Sequence, residues 1–151
     1  MESALRIYLD ACVINRLTDD PVGARVRAEI GAVRLVFRLI EYRRVRWIAS
    51  SILETELKKN PHAGRRLDSL EMLNFAAETI FPNDEIETRA DFLHSIGYGG
   101  FDALHLSLAE ASKVDVLLTT DDRFLRQTLR RLGSPTVQAA NPVDWIKGVR
   151  Q

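Results

Sequence analysis

Four acidic side chains, Asp10, Glu56, Asp102 and Asp121, have the types and placement to do chemistry in this sequence. Asp10 closes the short apolar run RIYLD, and Asp121 follows the apolar run VDVLLTT at once. Asp102 stands near the start of GFDALHLSLAEA, and Glu56 lies within SSILETELKKN. Three of them, Asp10, Asp102 and Asp121, fall where a helix begins, and a carboxylate there also serves as a cap worth ~0.5–2 kcal/mol. Glu56 has no such reason to be where it is. Its neighbour Glu54 does, because Ser51 and Glu54 have the spacing of a capping box. Were the four acids gathered on one rim, two carboxylates ~4 Å apart would repel by about 4 kcal/mol at an effective dielectric near 20. That exceeds what a cap returns. No Arg immediately flanks Asp10 or Asp102, so a hard divalent cation with oxygen ligands is the better counter-charge. Such an ion lowers the pKa of a bound water and stabilises charge on an attacked phosphate.

The elements that must position these acids alternate in kind. RIYLD (6–10), VRWIAS (45–50), TIF before Pro82, residues 115–119 and TVQAA read as strands. Residues 115–119 are apolar and β-branched enough to be buried on both faces. Helices fill the intervals. From Pro21 to Arg44, Val26, Ile30, Val33, Phe37 and Ile40 form one apolar stripe, with Arg27, Arg34 and Arg38 on another face. Further helices begin at residue 11 and with SSILETELKKN, and cover 61–78, 84–97, Gly100 onward and the stretch after Asp121. Tyr98-Gly99-Gly100 supplies the glycines of a helix stop, and Asn141 is placed to cap a terminal helical turn. Strands alternating with helices imply parallel pairing through right-handed crossovers. The expected fold is a three-layer α/β/α sandwich around a central, mostly parallel sheet of four to five strands, formed by residues 1–151 as one domain. Parallel strands deliver the residues after them to a single edge, where open sheets of this kind bind ligands.

Composition bounds the partners. The 21 Lys and Arg balance 21 Asp and Glu, so net charge selects none. The basic residues are mostly Arg, which suits bidentate phosphate contacts and equally reflects genome base composition. Cys12 is the one cysteine; with no disulfide framework the expected compartment is the reducing cytoplasm. No apolar run reaches ~18 residues, so no membrane span is expected. His105, between Leu104 and Leu106, reads as a packed or capping histidine.

With those residues in view, YLDACVIN, SSILETEL, GFDALHLSLAEA and LLTTDDRFL together resemble the PIN-domain family, and its VapC-like members above all. The four motifs occur in the family's order and span nearly the whole chain. The resemblance implies a ribonuclease that uses Mg²⁺ or Mn²⁺, with Asp10, Glu56, Asp102 and Asp121 as the catalytic and metal-holding acids. It also implies supporting roles for Asn15, Thr119 and Asp122, and leaves Arg123 and Arg126 as candidates for RNA contact. VapC-like membership further implies an antitoxin partner and a homodimer. Ala11 and Cys12 depart from the Thr and the Asn or Ser that VapC-like proteins commonly carry there. Such polar residues would orient Asp10, so their loss would weaken the grip on metal. Rival readings are a PIN-like binding or regulatory module of weak catalysis and a solitary RNA-processing nuclease. A haloacid-dehalogenase-like phosphotransferase would need a second Asp where Cys12 stands, and a response-regulator receiver a Lys that TVQAANP lacks.

Overall fold

Alternation along the inner strands decides the architecture. Ile7, Leu9, Trp47, Ala49, Val116 and Leu118 enter one apolar core, whereas Tyr8, Ile48 and Leu117 enter a second on the opposite side of the sheet. A strand whose successive residues are all apolar can be covered on both faces. The computed structural model, which describes residues 4–149, shows this for β1 (Leu5–Leu9), β2 (Val45–Ser50) and β4 (Val116–Leu118). Shorter strands β3 (Glu78–Ile80) and β5 (Gln138–Ala140) form the edges. All pairings are parallel, in the order β3-β2-β1-β4-β5.

The helices are α1 (Ala11–Asn15), α2 (Ala24–Glu41), α3 (Ser51–Leu57), α4 (Ala63–Met72), α5 (Asp84–Ser95), α6 (Gly100–Ala111), α7 (Asp122–Leu129) and α8 (Pro142–Val149). The first core packs α1, α2, α3 and α8 against the sheet, and the second packs α5, α6 and α7. The stripe of α2 reads as its spacing predicts: Ile30, Val33, Phe37 and Ile40 are buried, while Arg27, Arg34 and Arg38 are exposed. Phe37 meets Trp47 edge-on, ring centres 5.3 Å apart. Each such side chain contributes ~1.5–3 kcal/mol by leaving water, which holds an 18-residue helix on a sheet it does not hydrogen-bond.

Local expectations differ from the structure at three places. The serine capping α3 is Ser50, whose Oγ accepts from the Leu53 amide at 3.0 Å. The Ser51–Glu54 box is therefore not formed, and Glu54 pairs instead with Lys58 at 3.2 Å. The segment 61–78 is helical only over Ala63–Met72, followed by a 3₁₀ turn at Leu73–Phe75. The glycine that ends α5 is Gly97, with φ of 126°; Gly99 caps the start of α6. Asn141 does cap α8, its Oδ1 accepting from the Val143 amide at 2.8 Å.

β1 is the central strand, with β2 on one side and β4 on the other. The chain thus leaves β1 in opposite directions, and the crevice at the carboxyl ends of β1 and β4 is the switch point at which open α/β sheets hold ligands. Asp10 and Asp121 are the acids at its lip.

Candidate active site

Asp10 follows β1 directly, and its amide donates to the Leu118 carbonyl at 3.0 Å. That bond continues the β1–β4 ladder and fixes the residue at the crevice. The side chain is 4% exposed and makes no capping bond to α1, which removes the capping explanation for it. Its Oδ2 instead accepts from Thr119 Oγ1 at 2.9 Å and from the Cys12 thiol at 3.3 Å. Cys12 Sγ also accepts from the Thr120 amide at 3.3 Å. Polar support for Asp10 is therefore present, carried by a threonine after β4 and by the thiol that stands in place of the commoner hydroxyl or amide.

Glu56 lies in the last turn of α3, and its Oε1 is 2.6 Å from Nε2 of His105. The same nitrogen is 3.8 Å from Asp10 Oδ1. Asp10, Glu56 and His105 thus each offer a donor atom within 4.8 Å of the other two. Asp102, in the first turn of α6, makes no ion pair or side-chain cap among the described residues. Burial, and after it the charges of Asp10, Asp121 and Glu56, push its pKa up to about 7. Burial likewise raises the Asp10 pKa, with His105 opposing and Glu56 adding to the rise. Burial lowers the affinity of His105 for a proton, but the Glu56 hydrogen bond and the Asp10 charge outweigh it and the net shift is upward. These groups would rather not all be ionised together without a cation.

Asp121 does act as a cap: its Oδ1 accepts from the amides of Arg123 at 2.9 Å and Phe124 at 3.1 Å. Its charge is still felt at Asp102. Thr119 is bonded both to Asp10 and to the Asp121 amide, the latter at 3.0 Å, so it ties two of the acids to one hydroxyl. Asp122 turns away into an ion pair with Arg25, at 2.7 and 2.8 Å. Asn15 also lies apart, with its Oδ1 accepting from Ser69 of α4 at 3.2 Å. Arg123 and Arg126 are exposed on α7. No Arg or Lys pairs with Asp10, Glu56, Asp102 or Asp121 among the described residues. Outside the cluster, Arg16, Arg25 and Asn141 hold Glu29, which is 1% exposed.

The residue that sequence reasoning placed in the packing alone is His105. It is buried as expected, yet its ring faces two acids. The available signal was its position three residues after Asp102, which puts both on adjoining faces of one helix.

A family model for the PIN domain matches residues 7–128. The chain belongs to the PIN-domain family. The PIN fold accounts for the sheet order and for the gathering of acids from β1, α3, α6 and the β4–α7 junction. No curated protein matches the chain. Among solved structures it is similar to a chain of VapBC2 from Rickettsia felis bound to a DNA fragment from its promoter, at 14% identity and a TM-score of 0.60. It is similar also to a chain of VapBC-1 from nontypeable Haemophilus influenzae, at 17% identity and the same TM-score. Each likeness covers 91% of this chain and 98% of the other, and at such identities it establishes the fold. PIN domains are nucleases, which supports a hydrolase acting on phosphodiester bonds. No helix of the described residues is long and apolar enough to cross a membrane.

Proposed function

We propose that this PIN domain is a divalent-metal-dependent ribonuclease and the toxin of a VapBC-like pair. The observation that carries the reading is an acid cluster at the sheet's switch point that meets His105 but no Arg or Lys among the described residues. The donor set fits the ion: Asp10 and Glu56 present oxygens within 4.8 Å of each other, and Asp102 stands by with a pKa of about 7. Oxygen ligands suit Mg²⁺ or Mn²⁺. Asp10, Glu56, Asp102 and Asp121 would hold the ion, which when bound supplies an acidified water and a positive charge beside the phosphate.

The remaining work falls to the chain. Thr119 and Cys12 fix the Asp10 carboxylate by donating to its Oδ2. Asp121 spends Oδ1 on the α7 amides, which leaves Oδ2 for the site. Asp102, whose proton affinity is raised in the metal-free site, must give up its proton for the ion to bind. Arg123 and Arg126, exposed two and five residues past Asp121, are the cations placed to meet an RNA backbone. An antitoxin and a homodimer are part of the same proposal, supported by the likeness to chains from VapBC structures.

Incubating the purified protein with mixed RNA and Mn²⁺ tests the proposal. Cleavage is expected from the wild type and not from Asp10→Asn or Glu56→Gln. Equal cleavage by all three would remove the assignment, and cleavage of DNA in preference to RNA would redirect it. Co-expression of a short adjacent reading frame that suppresses toxicity would identify the antitoxin.

A further inference from the structure

Glu56 is the least anchored of the acids by its own element, since it lies at the end of a short helix and its side chain is 27% exposed. Its carboxylate nevertheless stands at the end of a buried hydrogen-bond chain. The Leu53 amide donates to Ser50 Oγ at 3.0 Å, and Ser50 Oγ lies 2.7 Å from the Tyr8 hydroxyl. The Tyr8 hydroxyl lies 2.5 Å from His105 Nδ1, and His105 Nε2 lies 2.6 Å from Glu56 Oε1. Ser50, Tyr8 and His105 are each no more than 1% exposed. The path begins on α3, crosses β1 and α6, and returns to α3 one turn further on.

The hydrogens of this circuit can be counted. Ser50 and Tyr8 each carry one hydroxyl hydrogen, and neutral imidazole carries one on either nitrogen. Among the described residues the Ser50 hydroxyl has a single acceptor, Tyr8 Oη. Once Ser50 donates there, the Tyr8 hydrogen is directed to His105 Nδ1. The phenol keeps that hydrogen and donates it along the 2.5 Å contact. The imidazole hydrogen then belongs on Nε2, where it is donated to Glu56. The opposite order strands the buried Ser50 hydrogen, at a cost of ~1–3 kcal/mol. In the neutral ring it also sets a bare nitrogen against a carboxylate oxygen 2.6 Å away.

We infer that His105 is a positioning residue for the second acid: as the Nε2–H tautomer, fixed by Ser50 and Tyr8, it holds the Glu56 carboxylate toward Asp10 before any metal arrives. His105 lies in the interior and acts through Glu56 rather than on substrate. The inference rests on the proposed role of Glu56 as a ligand only for its effect on metal affinity; the tautomer and its cause are independent of that role.

Glu56 and Asp10 favour the charged ring, so nitrogen-15 NMR of the imidazoles in metal-free protein reads the tautomer once the pH is high enough for His105 to be neutral. The His105 resonances should show Nε2 bearing the proton and Nδ1 bare, unchanged by Mg²⁺, with this preference lost in Tyr8→Phe. A proton on Nδ1 of the neutral ring in the free protein would overturn the inference, and so would a switch to Nδ1–H on adding Mg²⁺, which would mark Nε2 as a ligand. By calorimetry, Tyr8→Phe should weaken Mn²⁺ binding about tenfold and His105→Ala by about 10–100-fold, the range for groups that orient a ligand. His105→Gln, whose amide can still donate, should retain more affinity than His105→Ala. Unchanged Mn²⁺ affinity in Tyr8→Phe, with its melting temperature near that of the wild type, would also overturn the inference. Should His105→Ala fail to fold, the tautomer and Tyr8→Phe still decide. An absence of RNA cleavage alongside the expected tautomer would sink the nuclease proposal and leave the positioning role intact.

Discussion

Thr119 donates its hydroxyl to Asp10 Oδ2 at 2.9 Å, joining residues 109 positions apart in the chain. Thr119 Oγ1 in turn accepts from the Asp121 amide at 3.0 Å, so one side chain couples the carboxyl ends of β1 and β4. Thr119→Val keeps the shape and deletes the hydroxyl. Loss of such an orienting bond costs about 10–100-fold in metal affinity. Calorimetric titration with Mn²⁺ should show that drop, with Asp10 left buried and held by the Cys12 thiol alone.

Asp102 makes a prediction about pH. Its folded-state pKa is raised to about 7 from 3.8, so the folded protein holds this proton more tightly than the unfolded chain does. The corresponding stability is complete below about pH 4 and is lost as pH rises to about 7. Asp102→Asn cannot ionise. Metal-free Asp102→Asn should therefore match the wild type near pH 4 and exceed it in urea denaturation by a margin that grows to pH 7 and then levels off. Because protons and metal compete for the same oxygens, wild-type Mn²⁺ affinity should climb over the same interval. A gap between the two proteins that does not vary with pH would contradict the shift.

Gly99 owes its identity to Asp102. Its backbone, at φ −60° and ψ 157°, is open to any residue, but a Cβ there would come 3.1 Å from Asp102 Oδ2. The carboxylate would have to move a few tenths of an ångström. Gly99→Ala should lower Mn²⁺ affinity severalfold while leaving the melting temperature near that of the wild type. An alanine variant with wild-type affinity would show that Asp102 has room to spare.

Glu29 is the buried acid outside the site. Its two oxygens take Arg16 at 2.9 Å, Arg25 at 3.3 Å and the Asn141 amide at 2.7 Å, binding α2 to the turn after α1 and to the start of α8. Removing one partner of a buried pair commonly costs ~3–5 kcal/mol. Arg25 is half exposed and can return to water, so Glu29→Ala should cost about 3 kcal/mol, the low end of that range. Chemical denaturation would measure it, and a loss below about 1 kcal/mol would place the pair among ordinary surface contacts.

The fold was legible because its signals are redundant. Continuous apolar strands between amphipathic helices leave little choice but a covered parallel sheet, and parallel strands send Asp10 and Asp121 to one edge. Capping was less legible, since Ser50 and Ser51 are adjacent and chemically alike; backbone geometry, with Ser50 still extended at φ −148°, chooses between them. Glu56 was preferred over Glu54 through a capping box that does not form, yet Glu56 is the one facing Asp10. A 100° turn per residue separates their directions more reliably than the cap did. His105 was hidden by its apolar neighbours. Local pattern reports that a side chain is inside and is silent on what it meets there, and Glu56 and Tyr8 are 49 and 97 residues away. Cys12 looked like a lost polar group because a thiol is a weak donor; its position beside Asp10 and the Thr120 amide restores the contacts.

The seat of β1 in the middle of the sheet also governs when the acid cluster can be completed during synthesis. β2 can join it early, but the strand on its other flank ends at Leu118, and Thr119 and Asp121 lie beyond. A ribosome must release most of the polypeptide before the first acid has its full company. Until then the nascent chain lacks the assembled set of acids.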